Sequence, residues 1–277
     1  MTPPAHRHLR RILAPESPAV TVVLVVAALV MVMVFLGHTL GHEGVSGPEI
    51  EPFMELVSML LALLAVSVSL HVLDRQAQGY ANVLVLGFGV AIMCNVLHGV
   101  LAHGIPGQDA SGVADAALWL AGWVRVAECA TLLMIALRVS LAGPAKMWAV
   151  VAGALSLGLA WAALGPLPRW VAQASGGGLH GLLLASLVGC LALAAWLMLR
   201  NVLGGDRARE RLMGWAAVAF AASELALAVD AFAHAKPARF LSHALRVVGY
   251  ALLYQAVFVA GIRQPVARRS EAEAQLR

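Results

Sequence analysis

Ten histidines punctuate this chain, and several stand at spacings that put them on one helical face. His38 and His42 are four apart, so two imidazoles can project from one helix toward a single ion. Cys94 and His98 repeat that spacing with Asn95 beside them, and Asp230 and His234 repeat it again. Imidazole, carboxylate and thiolate together suit zinc or copper, whereas two imidazoles from facing helices can clamp the iron of haem b. The chain contains no Gly-x-Ser-x-Gly elbow, no phosphate loop ending in Gly-Lys-Ser/Thr and no His-Glu-x-x-His. The chemistry on offer is binding rather than turnover, and catalysis is not expected.

A second constellation is ionic. Arg125 and Glu128 lie three apart inside a long apolar run, hence on one helix face. Glu224 sits in the middle of another run. His243, Arg246, Tyr250 and Tyr254 follow 3-4-4 spacing and form one polar stripe on a third. Ionisable groups in such surroundings are expensive, so they pair with one another, mark function, or do both. The plainer reading is an ion-pair lock among three helices, with Arg125, Glu128, Glu224, Asp230, Arg246 and Tyr254 as its members. The sharper one is a relay that transmits a signal by re-pairing those charges.

The elements that position these residues follow from composition. Of 277 residues, 61% are hydrophobic and 12% charged, with a mean hydropathy of +0.82. A soluble domain carries roughly 25% charged residues, so the solvent here is mostly lipid. Runs long enough to cross the hydrocarbon core occur at about 19–40, 52–73, 80–103, 114–138, 147–164, 179–200, 212–234 and 240–262. Polar or Gly/Pro-bearing breaks separate them. The expectation is an all-α, polytopic integral membrane bundle of about eight helices, with a tail at 1–18, a membrane domain at 19–262 and a helical tail at 263–277.

Orientation follows from the basic residues. With the N-terminus inside, fourteen Lys and Arg fall on the cytoplasmic side, only Arg169, Lys236 and Arg239 on the other, and Arg125 and Arg246 within spans. That bias places both termini in the cytoplasm. It also gathers His38, His42, His98, His103, His180, His234 and His243 at or near the outer ends of spans, seven of the ten histidines. Glu55 and Asp230 share that layer. The layer is the candidate site for a ligand, metal or haem.

Other classes are disfavoured. The net charge of +4 is spread over short loops rather than gathered in a stripe, so nucleic acid is not an expected partner. Cys94, Cys129 and Cys190 are odd in number and lie in apolar runs, which argues against a disulfide framework. The run from Ala19 to Leu36 is longer than a signal-peptide core and lacks a small-x-small cleavage site, so it reads as a span.

The motifs and their order resemble the third type of MASE domain, a bacterial membrane-associated sensor module found ahead of diguanylate cyclases and histidine kinases. Phe53-Met-Glu55-Leu-Val-Ser-Met is similar to the Glu-Leu end of the family's Phe-His-x-x-x-Glu-Leu-x-Ser-Ile segment. Leu97-His98-Gly-Val-Leu-Ala-His103-Gly104-Ile resembles its Leu-His-Thr-Leu-x-Tyr-Lys-Gly-Met. Trp123-Val-Arg125-Val-Ala-Glu128 is similar to its Trp-x-x-x-Arg-x-x-Glu, Gly178-Leu-His180 to its Gly-Leu-Thr, and Ser223-Glu224-Leu225 to its Ser-Glu-Leu. His243-Ala-Leu-Arg246 with Tyr254 resembles its Gly-His-x-x-Lys ending in Ile-Tyr. The chain departs from the pattern at Glu51, where the family has histidine, at His103, where it has lysine, and in the offset of Trp119 and Trp123 from Arg125.

The resemblance implies signal reception in a bacterial cytoplasmic membrane and relay to a cyclase or kinase output, in the same chain or a partner, with a homodimer plausible by analogy. A haem-bearing redox protein, or a metal or proton transporter, is the alternative from another class.

Overall fold

Long apolar stretches in lipid must satisfy every backbone N–H and C=O internally, and the α-helix does so within one segment. The structure, a computed structural model, describes residues 50–71, 78–102, 110–164, 178–200, 207–233, 236–258 and 273. Among them are seven long helices and no strands: α1 (Ile50–His71), α2 (Gln78–Ala102), α3 (Ala110–Ala136), α4 (Ala145–Leu164), α5 (Gly178–Arg200), α6 (Arg207–Ala233) and α7 (Lys236–Phe258). These correspond in order to the second through eighth expected spans, so the chain is a polytopic helical membrane bundle. The expected span at 19–40 and the tail at 1–18 lie outside the described residues, as does the tail at 263–277 apart from Glu273.

Six of the helices, α1 to α6, are long and apolar enough to cross a membrane. The seventh, α7, carries Arg239, His243, Arg246 and Gln255, which lower its hydropathy. It is instead among the better buried, with Val247, Tyr250, Ala251, Leu253, Ala256 and Val257 all inside. Helices α6 and α7 begin four or five residues before the expected spans. Hydropathy marks the stretch that needs lipid, while the helix extends into its polar cap.

The helices close into a ring. Helix α1 packs on α2, α2 on α3, α3 on α5, α5 on α6, α6 on α7 and α7 back on α1, while α4 sits outside against α2 and α3. The pair α6–α7 packs most extensively, as expected of helices joined by residues 234–235 alone. In this order α3 and α7 face each other across the ring.

Many interior positions are small: Ala62, Ala65, Ala116, Ala194, Ala216, Ala217 and Ala256 are buried, beside larger side chains such as Phe88, Leu132 and Phe220. Leu63, Leu118, Val150, Trp161, Leu182 and Trp215 point outward. Close approach of backbones, rather than hydrophobic exclusion, holds helices together in lipid. Gly87 on α2 is the tightest case: a Cβ there would lie 1.6 Å from Thr131 Oγ1 on α3.

At the α3–α4 end the chain turns through a built loop. Val139 N–H donates to Met134 O (2.9 Å) and Arg138 N–H to Ile135 O (3.0 Å), the paired bonds that finish a helix with a left-handed residue. That residue is Arg138, at φ 58°. Asn82 of α2 clamps the loop by donating to Leu141 O (2.7 Å) and Gly143 O (2.8 Å).

Candidate functional site

Arg125 and Glu128 are less than one turn apart on α3, so both reach the ring interior from one face. Arg246 and Tyr250 stand one turn apart on α7 and reach it from the opposite side. They meet in the middle. Arg246 grips Glu128 with two donors, Nη2 to Oε2 at 2.7 Å and Nε to Oε1 at 3.2 Å, and the Tyr250 hydroxyl donates to the same Oε1. Glu128 is 2% exposed, so this fork is its substitute for water.

Beside it Arg125 Nη1 donates to Glu224 Oε2 of α6 at 3.2 Å. Arg125 Nε is buried without a partner. The four ionised groups sum to zero. Each arginine also lies within electrostatic range of the other's carboxylate. Next to Glu224 on α6 and one turn before Arg246 on α7, the Ser223 hydroxyl donates to Ser242 O at 2.8 Å, with the two hydroxyl oxygens 3.1 Å apart. Toward the α3–α4 end the cluster is sealed by aromatic rings. Tyr250 makes edge contacts with Phe88 of α2 at 5.8 Å and Phe220 of α6 at 5.0 Å.

Toward the α6–α7 end lies the part of the histidine layer that is described. His243 Nδ1 is 3.9 Å from Glu55 Oε1 on α1, a contact longer than a hydrogen bond. Glu55 is the more open of the two, with its side chain 36% exposed against 14%. His243 also lies within electrostatic range of Arg246, Arg125, Arg239 and His98. His98 Nδ1 is 2.8 Å from Ala117 O of α3. A carbonyl only accepts, so Nδ1 carries the hydrogen, and in a neutral ring Nε2 is left as a lone-pair donor. Metal-bound imidazoles are commonly oriented this way by a carbonyl behind the ring.

The remaining candidates divide. Asp230 pairs with Arg239 (2.8 Å) close to the α6–α7 connection, apart from the central cluster. Tyr254 packs beside Phe258, ring centroids 6.1 Å apart. The tyrosine in the centre is Tyr250. His38, His42, His103 and His234 lie outside the described residues, and the side chain of His180 is likewise not described. Among the described residues, no group of three or more His, Cys, Asp and Glu is placed to hold a metal ion. Cys94, Cys129 and Cys190 are free thiols.

The 3-4-4 stripe already contained Tyr250, but hydropathy and spacing do not separate it from Tyr254 one turn on. Ser223 stands out only through the Ser-Glu-Leu motif and Ser242 not at all, because a serine in an apolar helix satisfies itself on its own backbone as readily as on a neighbour.

Buried ion pairs thus join α3 to α6 and α7, with a histidine and a glutamate between them and one end of the bundle. No curated protein and no solved structure matches the chain. A family model described as a membrane-associated sensor domain matches residues 50–265, well over half of the 277. That span takes in all seven helices together with Glu55, His98, Arg125, Glu128, Glu224, His243 and Arg246, and the chain accordingly belongs to the MASE3 family of membrane-associated sensor domains.

Proposed function

We propose that this sensor domain receives its signal at the α6–α7 end and passes it along α7. The ligand engages His98, His243 and Glu55, with His38, His42, His103, His180 and His234 as further donors from the same face. Haem b, copper and zinc are the candidates, because imidazole is the donor they share. The excess of basic residues at the other end supports that face lying outside a bacterial cytoplasmic membrane and the distal end of α7 inside, where a cyclase or kinase output, in cis or in trans, reads its position.

One observation carries this reading. His243 and Arg246 are three apart on α7, so the helix that touches the histidine layer also grips Glu128 on the far side of the ring. A ligand that draws on His243 therefore acts on the bridge that fixes α7 relative to α3. Such a ligand shifts the population of two packings only by its difference in affinity between them.

Two measurements test the proposal. Absorption and metal content of the purified protein are read first, with a Soret band or a stoichiometric metal expected to fall in His98→Ala and His243→Ala. A colourless, metal-free preparation of folded protein would remove these ligand classes. Second, a cyclase fused after Arg263 is expected to change activity in His98→Ala, Glu128→Gln and Glu224→Gln. A fused activity indifferent to all three would remove the relay.

A further inference from the structure

Four ionised side chains occupy the ring centre: Arg125 and Glu128 on α3, Glu224 on α6 and Arg246 on α7. Both present pairs cross from α3, Arg125 to Glu224 at 3.2 Å and Glu128 to Arg246 at 2.7 Å. The same four groups admit a second complete matching. Arg125 and Glu128 are at i and i+3 of one helix, the spacing at which a side-chain ion pair forms locally. Glu224 and Arg246 belong to α6 and α7 respectively, the two helices that pack most extensively.

We propose that the cluster is a partner-exchange switch, in which the pairs Arg125–Glu224 and Glu128–Arg246 trade for Arg125–Glu128 and Glu224–Arg246.

Exchange keeps the charge of the cluster at zero and strands no ion. Leaving a charge unpaired is what makes breaking a single buried ion pair so unfavourable. What changes is the mechanical linkage. Helix α3 packs on α2, α4 and α5, and within the ring its polar ties to α6 and α7 run through these long side chains, the exposed Arg138–Glu210 pair lying at its end. In the crossed matching, two bridges hold the α6–α7 hairpin to α3. After exchange α3 is satisfied internally, the hairpin is tied to itself, and the two bodies are free to shift.

Two details show that the crossed matching is incompletely satisfied. Arg125 makes a single bond to Glu224 and leaves a buried Nε–H without an acceptor. Glu128, in contrast, takes Arg246 and Tyr250 together. Exchange thus gives up the well-made bridge but gives Arg125 a carboxylate on its own helix. A perturbation at His243, on the same face of α7 as Arg246, decides between the two. This inference adds a mechanism to the proposed relay. It concerns helix packing alone and stands whether or not the ligand is a metal or haem.

The test redistributes charge without changing composition. The pair Arg125→Glu with Glu128→Arg preserves the local ion pair on α3 but sets a carboxylate against Glu224 and a guanidinium against Arg246, so of the two matchings above only the exchanged one remains. Adding Glu224→Arg and Arg246→Glu restores both matchings. Spin labels at Leu118→Cys on α3 and Leu241→Cys on α7, both outward-facing, report the spacing by electron–electron resonance. The full chain is measured in lipid nanodiscs, with Cys94, Cys129 and Cys190 replaced by alanine.

The double variant is expected to fold and to show an α3–α7 distance shifted by roughly 2 Å or more. The quadruple variant is expected to return to the parent distance. A folded double variant with the parent distance overturns the switch. So does a double variant that is lost from the membrane while the quadruple variant is recovered, since that marks a lock with one permitted matching.

Discussion

Arg246 of α7 and Glu128 of α3 stand on opposite sides of the helix ring and meet in its middle, guanidinium to carboxylate, at 2.7 and 3.2 Å. Neither helix packs extensively on the other. Their relation is made by side chains alone, which makes it both specific and open to perturbation.

Glu128→Gln removes one charge of that pair and leaves Arg246 buried with a neutral acceptor. Breaking one partner of a buried pair costs about 3–5 kcal/mol. A large fall in the thermal midpoint is expected in detergent. Combining Glu128→Gln with Arg246→Met should recover most of it, because neither charge is then stranded. If the double variant melts below the single, pairing is not what stabilises this site.

The α2–α3 contact rests on the absence of a side chain at Gly87. A Cβ there would stand 1.6 Å from Thr131 Oγ1 and 2.7 Å from Thr131 Cβ, and overpacking of a tight core typically costs about 1–3 kcal/mol. Gly87→Ala should lower the yield of folded protein, and Thr131→Ala should rescue it in part by removing the nearer atom. Unchanged melting of Gly87→Ala would show that the helices separate easily here.

His98 offers a contrast between stability and sensing. Its one described bond, to Ala117 O, is worth about 1 kcal/mol net, far less than the Glu128 bridge. His98→Ala should therefore melt close to the parent while losing any bound chromophore or metal and any ligand-dependent output. A drop in stability comparable with Glu128→Gln, with ligand retained, would make His98 a packing residue.

Arg138 closes α3 at φ 58°, a region that disfavours side chains by roughly 1–2 kcal/mol. Its pair with Glu210 is long, at 3.4 Å, and the Arg138 side chain is 63% exposed. Such surface pairs contribute about 0–1 kcal/mol. Arg138→Gly should thus leave stability equal or raise it by roughly 1 kcal/mol, read as a midpoint shift. A clear loss would mean that the ion pair outweighs the backbone strain.

Much of this was legible without coordinates. Runs of apolar residues and the scarcity of charge are local properties, so they located α1 to α7 within a few residues and singled out Arg125, Glu128, Glu224, Asp230, His243 and Arg246 as the polar groups those helices must bury. The same scarcity explains why they draw attention: in lipid each such group needs a partner, whatever its role.

The choice of partner was not legible. Arg125 has Glu128 three residues away and Glu224 ninety-nine residues away, and composition is satisfied by either. Ring closure decides, because it sets α7 opposite α3 and α6 within reach of Arg125. It likewise puts Tyr250 at the centre and Tyr254 beside Phe258, although both lie on one stripe. Sequence alone determined the solvent, the helices and the list of buried charges, since these depend on residues close along the chain. Only the tertiary structure decided which charge answers which, since that depends on the order in which distant helices pack.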